Sequence, residues 1–223
     1  MAFIGEKGKI FLVLLLLWLA YVVVGIFVFT AVEGTAQLYD REWGYEDSFW
    51  FVIVLLTTIG YGDFSPATAL GKALCVLYAI FGIPVTILLL RLIGQFILRG
   101  QRCFITWIEK RCLRITGPTS HLNGKCFLLG LIYLLLLLLV GAGVQMWAEE
   151  WSYEDSLYFY VISFTTVGFG DLLPTNKYIT VPFILLGLTA VSNVLHAAAS
   201  MALVKRVTVG SKDEQTEENE AKV

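Results

Sequence analysis

The sequence predicts an all-α membrane protein with four transmembrane helices, two re-entrant loops and a two-fold internal parallel repeat. Of its 223 residues, 57% are hydrophobic and only 15% are charged, which is unlike an ordinary soluble domain. Several apolar runs reach the roughly 20 residues that a membrane helix needs. A short polar motif with two glycines also occurs twice between these runs. We expect spans at about residues 10–32, 70–98, 126–148 and 178–204.

The charge distribution predicts how these spans are oriented. The segment between the second and third spans is basic, whereas the segments after the first and third spans are acidic. The positive-inside rule then places the central linker in the cytoplasm, and both termini with it, since two crossings separate each terminus from the linker. We expect an integral protein of the plasma membrane. Its basic groups, at Arg99–Arg114 and Lys205–Arg206, either bind anionic lipid headgroups or act only as topology determinants.

An internal duplication links the two halves of the chain. EWGYEDSFWFVIVLLTTIGYGDFSP begins at Glu42 and EWSYEDSLYFYVISFTTVGFGDLLP begins at Glu150, with an offset of 108 residues (150 − 42) and no gap. Trp, Glu, Asp, Gly and Pro positions are retained in register, which chance similarity between apolar segments does not produce. We therefore expect two pore halves at residues 1–116 and 117–206, followed by a disordered acidic cytosolic tail at 207–223.

Each repeat contains an apolar stretch too short to cross a membrane. About 11 residues precede the glycines, at 48–58 and 156–166, and this length reaches roughly half-way through the hydrocarbon core. Each copy therefore predicts a re-entrant half-helix, within pore loops at residues 46–66 and 154–174. Asp47-Ser48 and Asp155-Ser156 are candidate N-caps for these half-helices.

The motifs TTIGYGD at 57–63 and TTVGFGD at 165–171, here called the filter segments, indicate a cation site. Alternating glycines allow successive backbone carbonyls to point the same way, so that their oxygens replace the hydration shell of a potassium ion. A threonine hydroxyl adds a further layer of ligands. The predicted potassium-binding set is Thr58, Ile59, Gly60, Tyr61, Gly62, Thr166, Val167, Gly168, Phe169 and Gly170.

Other side chains are predicted to support these segments or to stand beside them. Asp63 and Asp171 follow the glycines, where they can accept hydrogen bonds behind the filter segments. Trp50 and Tyr158, in the half-helices, are the candidates that surround the filter segments from behind. Lys177 lies just beyond the second motif, and we favour a solvated interfacial lysine over a residue that modulates the filter.

With these motifs the sequence resembles the two-pore-domain potassium channel family. FTAVEG at 29–34 and YAIFGIPVT at 78–86 resemble further family segments. The resemblance implies a dimer around one central pore and a leak, or background, potassium current. The motif count agrees, because a four-fold filter needs four loops and one chain supplies two. Only about 15 residues separate the first span from its pore helix, which is too few for the family's extracellular cap helices.

The alternatives and the expected absences complete the prediction. A non-conducting or regulatory subunit on the same fold is the alternative function, and intact motifs in both halves argue against it. A tetraspan scaffold protein would predict extracellular cysteines and no re-entrant repeats. We expect no enzymatic activity, no catalytic residues, no nucleic-acid partner and no cofactor beyond bound potassium ions.

Four residues within the spans are candidates for hinges or gating. Gly82 and Pro84 interrupt the second span, where proline removes a helix hydrogen bond, so the site is either a hinge or a static kink. Gly187, in the last span, has the same two interpretations. Asn193 is polar within an apolar span, and we expect it to line the inner vestibule.

Overall fold

The fold is all-helical wherever the computed structural model describes the chain. That is the backbone of residues 2–34, 43–111 and 122–220, with the side chains of residues 8–34, 43–111 and 122–201. Arg114 and the side chains of Lys205 and Arg206 lie outside the described residues. The helices, in chain order, are α1 (Ala2–Glu33), α2 (Tyr45–Leu56), α3 (Ala69–Arg111), α4 (Leu122–Glu149), α5 (Tyr153–Phe164) and α6 (Lys177–Glu220).

Four of these helices are long and apolar enough to cross a membrane. The candidate spans are Gly8–Glu33, Ala69–Arg111, Leu122–Glu149 and Lys177–Met201. The four-span prediction is therefore confirmed. Helix α3 continues beyond residue 98 to Arg111, so the first part of the predicted basic linker is helical. The sequence favours this extension, because residues 101–111, after Gly100, contain neither glycine nor proline.

Helix α6 also extends further than its composition predicts. The structure describes helix through Glu220, whereas we expected a disordered tail from residue 207. Residues 207–220 contain Lys, Glu and Gln, which are good helix formers, and no proline. The helical geometry of the preceding span therefore continues through Gly210 to Glu220.

The two predicted half-helices are present as α2 and α5, each of 12 residues. At about 1.5 Å per residue each is about 18 Å long, against roughly 30 Å for the hydrocarbon core. The predicted N-caps were wrong, because the helices begin earlier and their N-caps are Gly44 and Ser152. Asp47 instead accepts a hydrogen bond from the Gly44 backbone N–H at 3.1 Å, and Ser152 Oγ accepts one from the Asp155 N–H at 3.0 Å.

The chain packs as two compact units that do not coincide with the two sequence halves. The first unit comprises Met1–Leu92 and Leu137–Leu188, and the second comprises Ile93–Leu136 and Thr189–Val223. Each unit therefore takes chain from both repeats. The first unit contains both half-helices and both filter segments.

Within the first unit, a reciprocal tyrosine pair joins α1 to α3. The Tyr21 hydroxyl donates to the Tyr78 carbonyl at 2.8 Å, and the Tyr78 hydroxyl donates to the Tyr21 carbonyl at 2.7 Å. The two rings stack with centroids 4.3 Å apart. Thr30 Oγ1 also donates to Ser48 Oγ at 2.7 Å, which fastens α2 to α1. These contacts hold the first half-helix against its neighbouring spans.

Within the second unit, Leu98, Cys126 and Ala197 form a small buried core. Lys125 pairs with Glu109 at its edge. Asn193 is fully buried, and a Cβ added to Gly130 would lie 3.2 Å from its Nδ2. Neighbouring helices therefore enclose the Asn193 side chain within this chain, and its place at the inner vestibule stays a prediction.

Candidate functional site

The filter segments adopt the same unusual backbone conformation in both repeats. Residues with positive φ alternate with residues of ordinary φ. The positive values are 58° at Thr58, 64° at Gly60 and 81° at Gly62, and 57°, 55° and 74° at Thr166, Gly168 and Gly170. Such alternation turns successive carbonyls toward the same side of the chain, and glycine adopts it without steric cost. The two threonines are the only non-glycine residues of these segments in this region.

Backbone hydrogen bonds attach each filter segment to the end of its half-helix. The N–H groups of Ile59 and Gly60 donate to the Val54 carbonyl at 3.1 and 3.4 Å. Val167 and Gly168 donate to the Ile162 carbonyl at 3.0 and 3.3 Å in the same manner. Because the N–H groups point back to the helix, the backbone carbonyls are the groups that remain available for a cation.

The two threonines of each motif have different surroundings. The hydroxyls of Thr57 and Thr165 each donate within their half-helix, to the Ile53 and Val161 carbonyls, at 2.7 Å. Thr58 and Thr166 follow them with positive φ. The hydroxyl of the first threonine of each motif is therefore used within its half-helix, and a ligand role for the second threonine stays a prediction.

The two filter segments of one chain lie side by side. A Cβ added to Gly168 would lie 3.0 Å from the Ile59 carbonyl carbon, and one added to Gly170 would lie 3.1 Å from that of Tyr61. Gly60 and Gly62 have no such neighbour within 4 Å. The first segment is therefore covered along one edge by the second and is open along its other edge.

The four supporting residues predicted from the sequence form two pairs, and this pairing was not itself predicted. Trp50 Nε1 donates to Asp63 Oδ2 at 2.8 Å, and the Tyr158 hydroxyl donates to Asp171 Oδ2 at 2.9 Å. Each half-helix therefore fixes the aspartate that follows its own filter segment.

The two repeats differ in how their filter segments are buried. Ile59 and Tyr61 are 3% and 7% exposed, whereas Val167 and Phe169 are 49% and 64% exposed. The Tyr61 hydroxyl forms a hydrogen bond with the Ser163 hydroxyl of α5. The side chains of Ile59 and Tyr61 are thus buried within one chain, whereas those of Val167 and Phe169 are not.

Lys177 is paired, so the interpretation as a solvated lysine was wrong. Its Nζ lies 2.6 Å from Asp47 Oδ1 and 5.2 Å from the centre of the Phe64 ring. Asp47 belongs to the first turn of α2, and Lys177 begins α6. The sequence pattern did not indicate this pair, because 130 residues separate Lys177 from Asp47.

One glutamate in each repeat holds the chain that follows the filter segment, and the sequence analysis did not predict either of them as a site residue. Glu33 is only 3% exposed, and its carboxylate accepts hydrogen bonds from the Ala67 N–H at 3.0 Å and the Thr68 hydroxyl at 2.6 Å. Glu149 accepts from the N–H groups of Thr175 and Asn176 at 2.8 and 2.6 Å. Both act at helix N-termini, where negative charge is favourable. An acidic residue at the end of each preceding span was the available signal.

The hinge candidates Gly82 and Gly187 occupy equivalent close contacts. A Cβ on Gly82 would collide with Leu56, the last residue of α2, and one on Gly187 would collide with Phe164, the last residue of α5. Near Pro84, Trp18 Nε1 donates to Thr86 Oγ1 at 2.9 Å, and that hydroxyl donates to the Gly82 carbonyl at 2.9 Å. These contacts favour static packing at both positions, and a hinge stays a prediction.

The sequence of this chain matches a family of known proteins. The family model described as "Ion channel" matches residues 13–99 and 127–203, which is one match in each repeat half. The chain is also 32% identical, over 191 residues, to "TWiK family of potassium channels protein 18" of Caenorhabditis elegans. That match covers 70% of this chain and 41% of that protein, so the chain spans less than half of that relative's length.

These matches confirm the resemblance that the two repeated motifs indicate. The family match includes both half-helices and both filter segments, on either side of the central basic region. The chain therefore belongs to the ion channel family.

Proposed function

We propose that this protein is a potassium-selective leak channel that conducts K⁺ passively through a filter built from the filter segments of two identical chains. The observation that carries the proposal is the alternation of positive and ordinary φ in both segments. It supports a column of carbonyl oxygens from Ile59, Gly60 and Tyr61, and from Val167, Gly168 and Phe169, with the Thr58 and Thr166 hydroxyls at its inner end.

Electrostatics favour a cation at this position. Each half-helix ends directly before its filter segment, so the negative end of its dipole points toward the proposed ion path. Asp63 and Asp171 add negative charge on the outer side, while their hydrogen bonds hold them in place. No span carries the periodic arginine series of a voltage sensor, which agrees with a leak current.

The proposal includes membrane and lipid contacts. Exposed Lys110 and Arg111 line an open groove of about 530 Å³ on α3, together with Arg102 and Trp107. Such a basic groove beside an aromatic ring suits an anionic lipid headgroup at the cytoplasmic surface. Both termini on that side of the plasma membrane follow from the same positive-inside argument.

A flux experiment tests the conduction proposal. The protein, reconstituted in liposomes with an outward K⁺ gradient, is expected to release K⁺ and to pass Na⁺ far more slowly. Gly60→Ala forces a side chain into positive φ, which costs about 1–2 kcal/mol, and is expected to reduce K⁺ flux roughly tenfold.

Gly143→Ala is the matched control. A Cβ at Gly143 or at Gly60 meets nothing within 4 Å, but only Gly60 has positive φ. The control should therefore conduct like the wild type. Equal Na⁺ and K⁺ flux in the wild type would contradict selectivity. A wild type that forms dimers without any flux would favour the non-conducting subunit instead.

A further inference from the structure

The packing of Tyr61 shows how a filter segment is held by a half-helix of the other repeat. Its ring is parallel to that of Trp50, with centroids 5.5 Å apart, and stacks on Phe159 of α5 at 5.9 Å. Its hydroxyl bonds to Ser163, also in α5. The first filter segment is thus fixed between its own half-helix and the half-helix of the second repeat.

Phe169 is the repeat counterpart of Tyr61, but it lacks this packing within the chain. It is 64% exposed, and no ring contact is described for it among residues 8–34, 43–111 and 122–201. The counterpart of Trp50 is Tyr158, which lies in the same half-helix as Phe159. The counterpart of Ser163, 108 residues earlier, is Leu55, whose side chain is half-buried.

The two counterpart pairs match in chemistry. Tyr61 and Ser163 are both polar and share a hydrogen bond, which a buried phenol requires because an unpaired hydroxyl is costly. Phe169 and Leu55 are both apolar, so neither side chain has a hydroxyl that needs a hydrogen-bond partner. The exchange of tyrosine for phenylalanine in the second motif is thereby matched by an exchange of serine for leucine in the first half-helix.

The open edge of the first filter segment points to the same arrangement. Gly168 and Gly170 lie against the Ile59 and Tyr61 backbone, whereas Gly60 and Gly62 face open space. A second copy, related by the repeat, would place its Val167 and Phe169 backbone along that edge. The same rotation carries the exposed Phe169 ring of one chain toward α2 of the other.

We propose that Phe169 packs against Leu55 of the partner subunit, and that this apolar contact joins two copies of the chain at the filter. The proposal rests on the proposed function, in which two chains complete one pore. Within a chain, the Tyr61–Ser163 hydrogen bond holds neighbouring quarters of the filter together. Between chains, the Phe169–Leu55 contact performs the same task. The occupant of this surface is therefore a second copy of this chain.

A double-mutant cycle on dimer affinity in lipid bilayers tests the contact. Phe169→Tyr places a phenol against leucine, and Leu55→Ser places a hydroxyl against phenylalanine. We expect each single change to weaken dimerisation roughly tenfold, the effect of an unpaired buried hydroxyl or a lost apolar contact. The double variant recreates the Tyr–Ser pair and should return to within about threefold of the wild type. Leu135→Ser, at an exposed leucine of α4, is the control for a leucine-to-serine change.

A second measurement locates the contact without relying on affinity. Phe169 is replaced by p-benzoylphenylalanine in a tagged copy, which is mixed with an untagged copy lacking the probe. Light should join the two copies at α2, near residue 55, as read by mass spectrometry. The contact would be overturned if the crosslinks formed only within one chain or to lipid. It would also be overturned if the effects of the two single changes on the dimer dissociation constant simply multiplied in the double variant.

Potassium flux of the wild type in the same vesicles separates the two proposals. If the wild type forms a dimer that conducts K⁺ but the effects of Phe169→Tyr and Leu55→Ser on dimer affinity are independent, the Phe169–Leu55 contact is overturned and the channel function stands. A wild type that remains monomeric overturns the two-chain filter together with the contact. If the double variant restores dimer affinity but the wild-type dimer gives no K⁺ flux, the contact is supported and conduction is rejected.

Discussion

Trp50 Nε1 donates a hydrogen bond to Asp63 Oδ2 at 2.8 Å, and 108 residues later Tyr158 and Asp171 form the same bond at 2.9 Å. The half-helix thus reaches across to the residue that follows its filter segment, and the two repeats do so with different donors. Indole N–H and phenol O–H both supply one donor from an aromatic ring of suitable reach.

Trp50→Phe is expected to loosen the first filter segment. Trp50 is 1% exposed, and the change removes the donor to Asp63 while it retains an aromatic ring. The loss of a hydrogen bond to a charged acceptor costs about 1.5–3 kcal/mol. We expect a lower unfolding temperature and reduced preference for K⁺ over Na⁺ in liposome flux. Trp147→Phe, at a tryptophan that is 80% exposed, is the control, and an equal effect there would contradict the role of the hydrogen bond.

Glu33→Ala is expected to destabilise the start of α3. The buried carboxylate accepts hydrogen bonds from Ala67 and Thr68, and the substitution leaves those donors without their acceptor. We expect a loss of about 2–3 kcal/mol in the free energy of unfolding, measured by denaturation in detergent. Glu154→Ala removes an exposed carboxylate from the first turn of α5 and should have a much smaller effect. Equal losses would show that Glu33 acts only through its charge.

Gly82→Ala and Gly187→Ala distinguish close packing from a hinge. A methyl group at either position collides with the last residue of a half-helix, so we expect overpacking to cost about 1–3 kcal/mol in stability. Gly143→Ala, where a methyl group meets nothing within 4 Å, should leave stability close to that of the wild type. If the variants instead alter K⁺ flux while their thermal stability is unchanged, these glycines act as hinges.

The Asp47–Lys177 pair is expected to tie α2 to the beginning of α6. Its side chains are 25% and 14% exposed, so the pair is partly shielded from water. We expect Asp47→Asn to lower stability by about 1 kcal/mol, and less at high salt, since screening weakens a partly exposed ion pair. The exchange Asp47→Lys with Lys177→Asp should recover most of the loss. Additive effects of the two single reversals would show that the residues do not interact.

The features that the sequence predicted correctly depend on patterns among residues that are close together in the chain. Hydrophobic run length predicts the four spans, and a run of half that length predicts α2 and α5. The repeated glycines predict the alternating backbone of the filter segments, because only glycine adopts positive φ freely. Trp50 and Asp63 were also predicted as supporting residues, although their hydrogen bond to each other appears only in the structure.

The remaining features depend on long-range packing. The N-caps are the exception, because the bonds that join Asp47 to Gly44 and Asp155 to Ser152 span only three residues. Lys177 pairs with Asp47, which lies 130 residues away in the sequence. Glu33 accepts hydrogen bonds from Ala67 and Thr68, which lie 34 and 35 residues away. Hydropathy could not reveal that Asn193 would be enclosed, because enclosure depends on which helices surround it.

By itself, the sequence determined the membrane class, the internal repeat and the backbone conformation of the filter segments, since each depends on residues close together in the chain. Only the tertiary structure decided that Tyr61 is held by Ser163 while Phe169 is left exposed. The physical reason is that two filter segments can cover each other along one edge only. The opposite edge, with Gly60 and Gly62, stays open in a single chain.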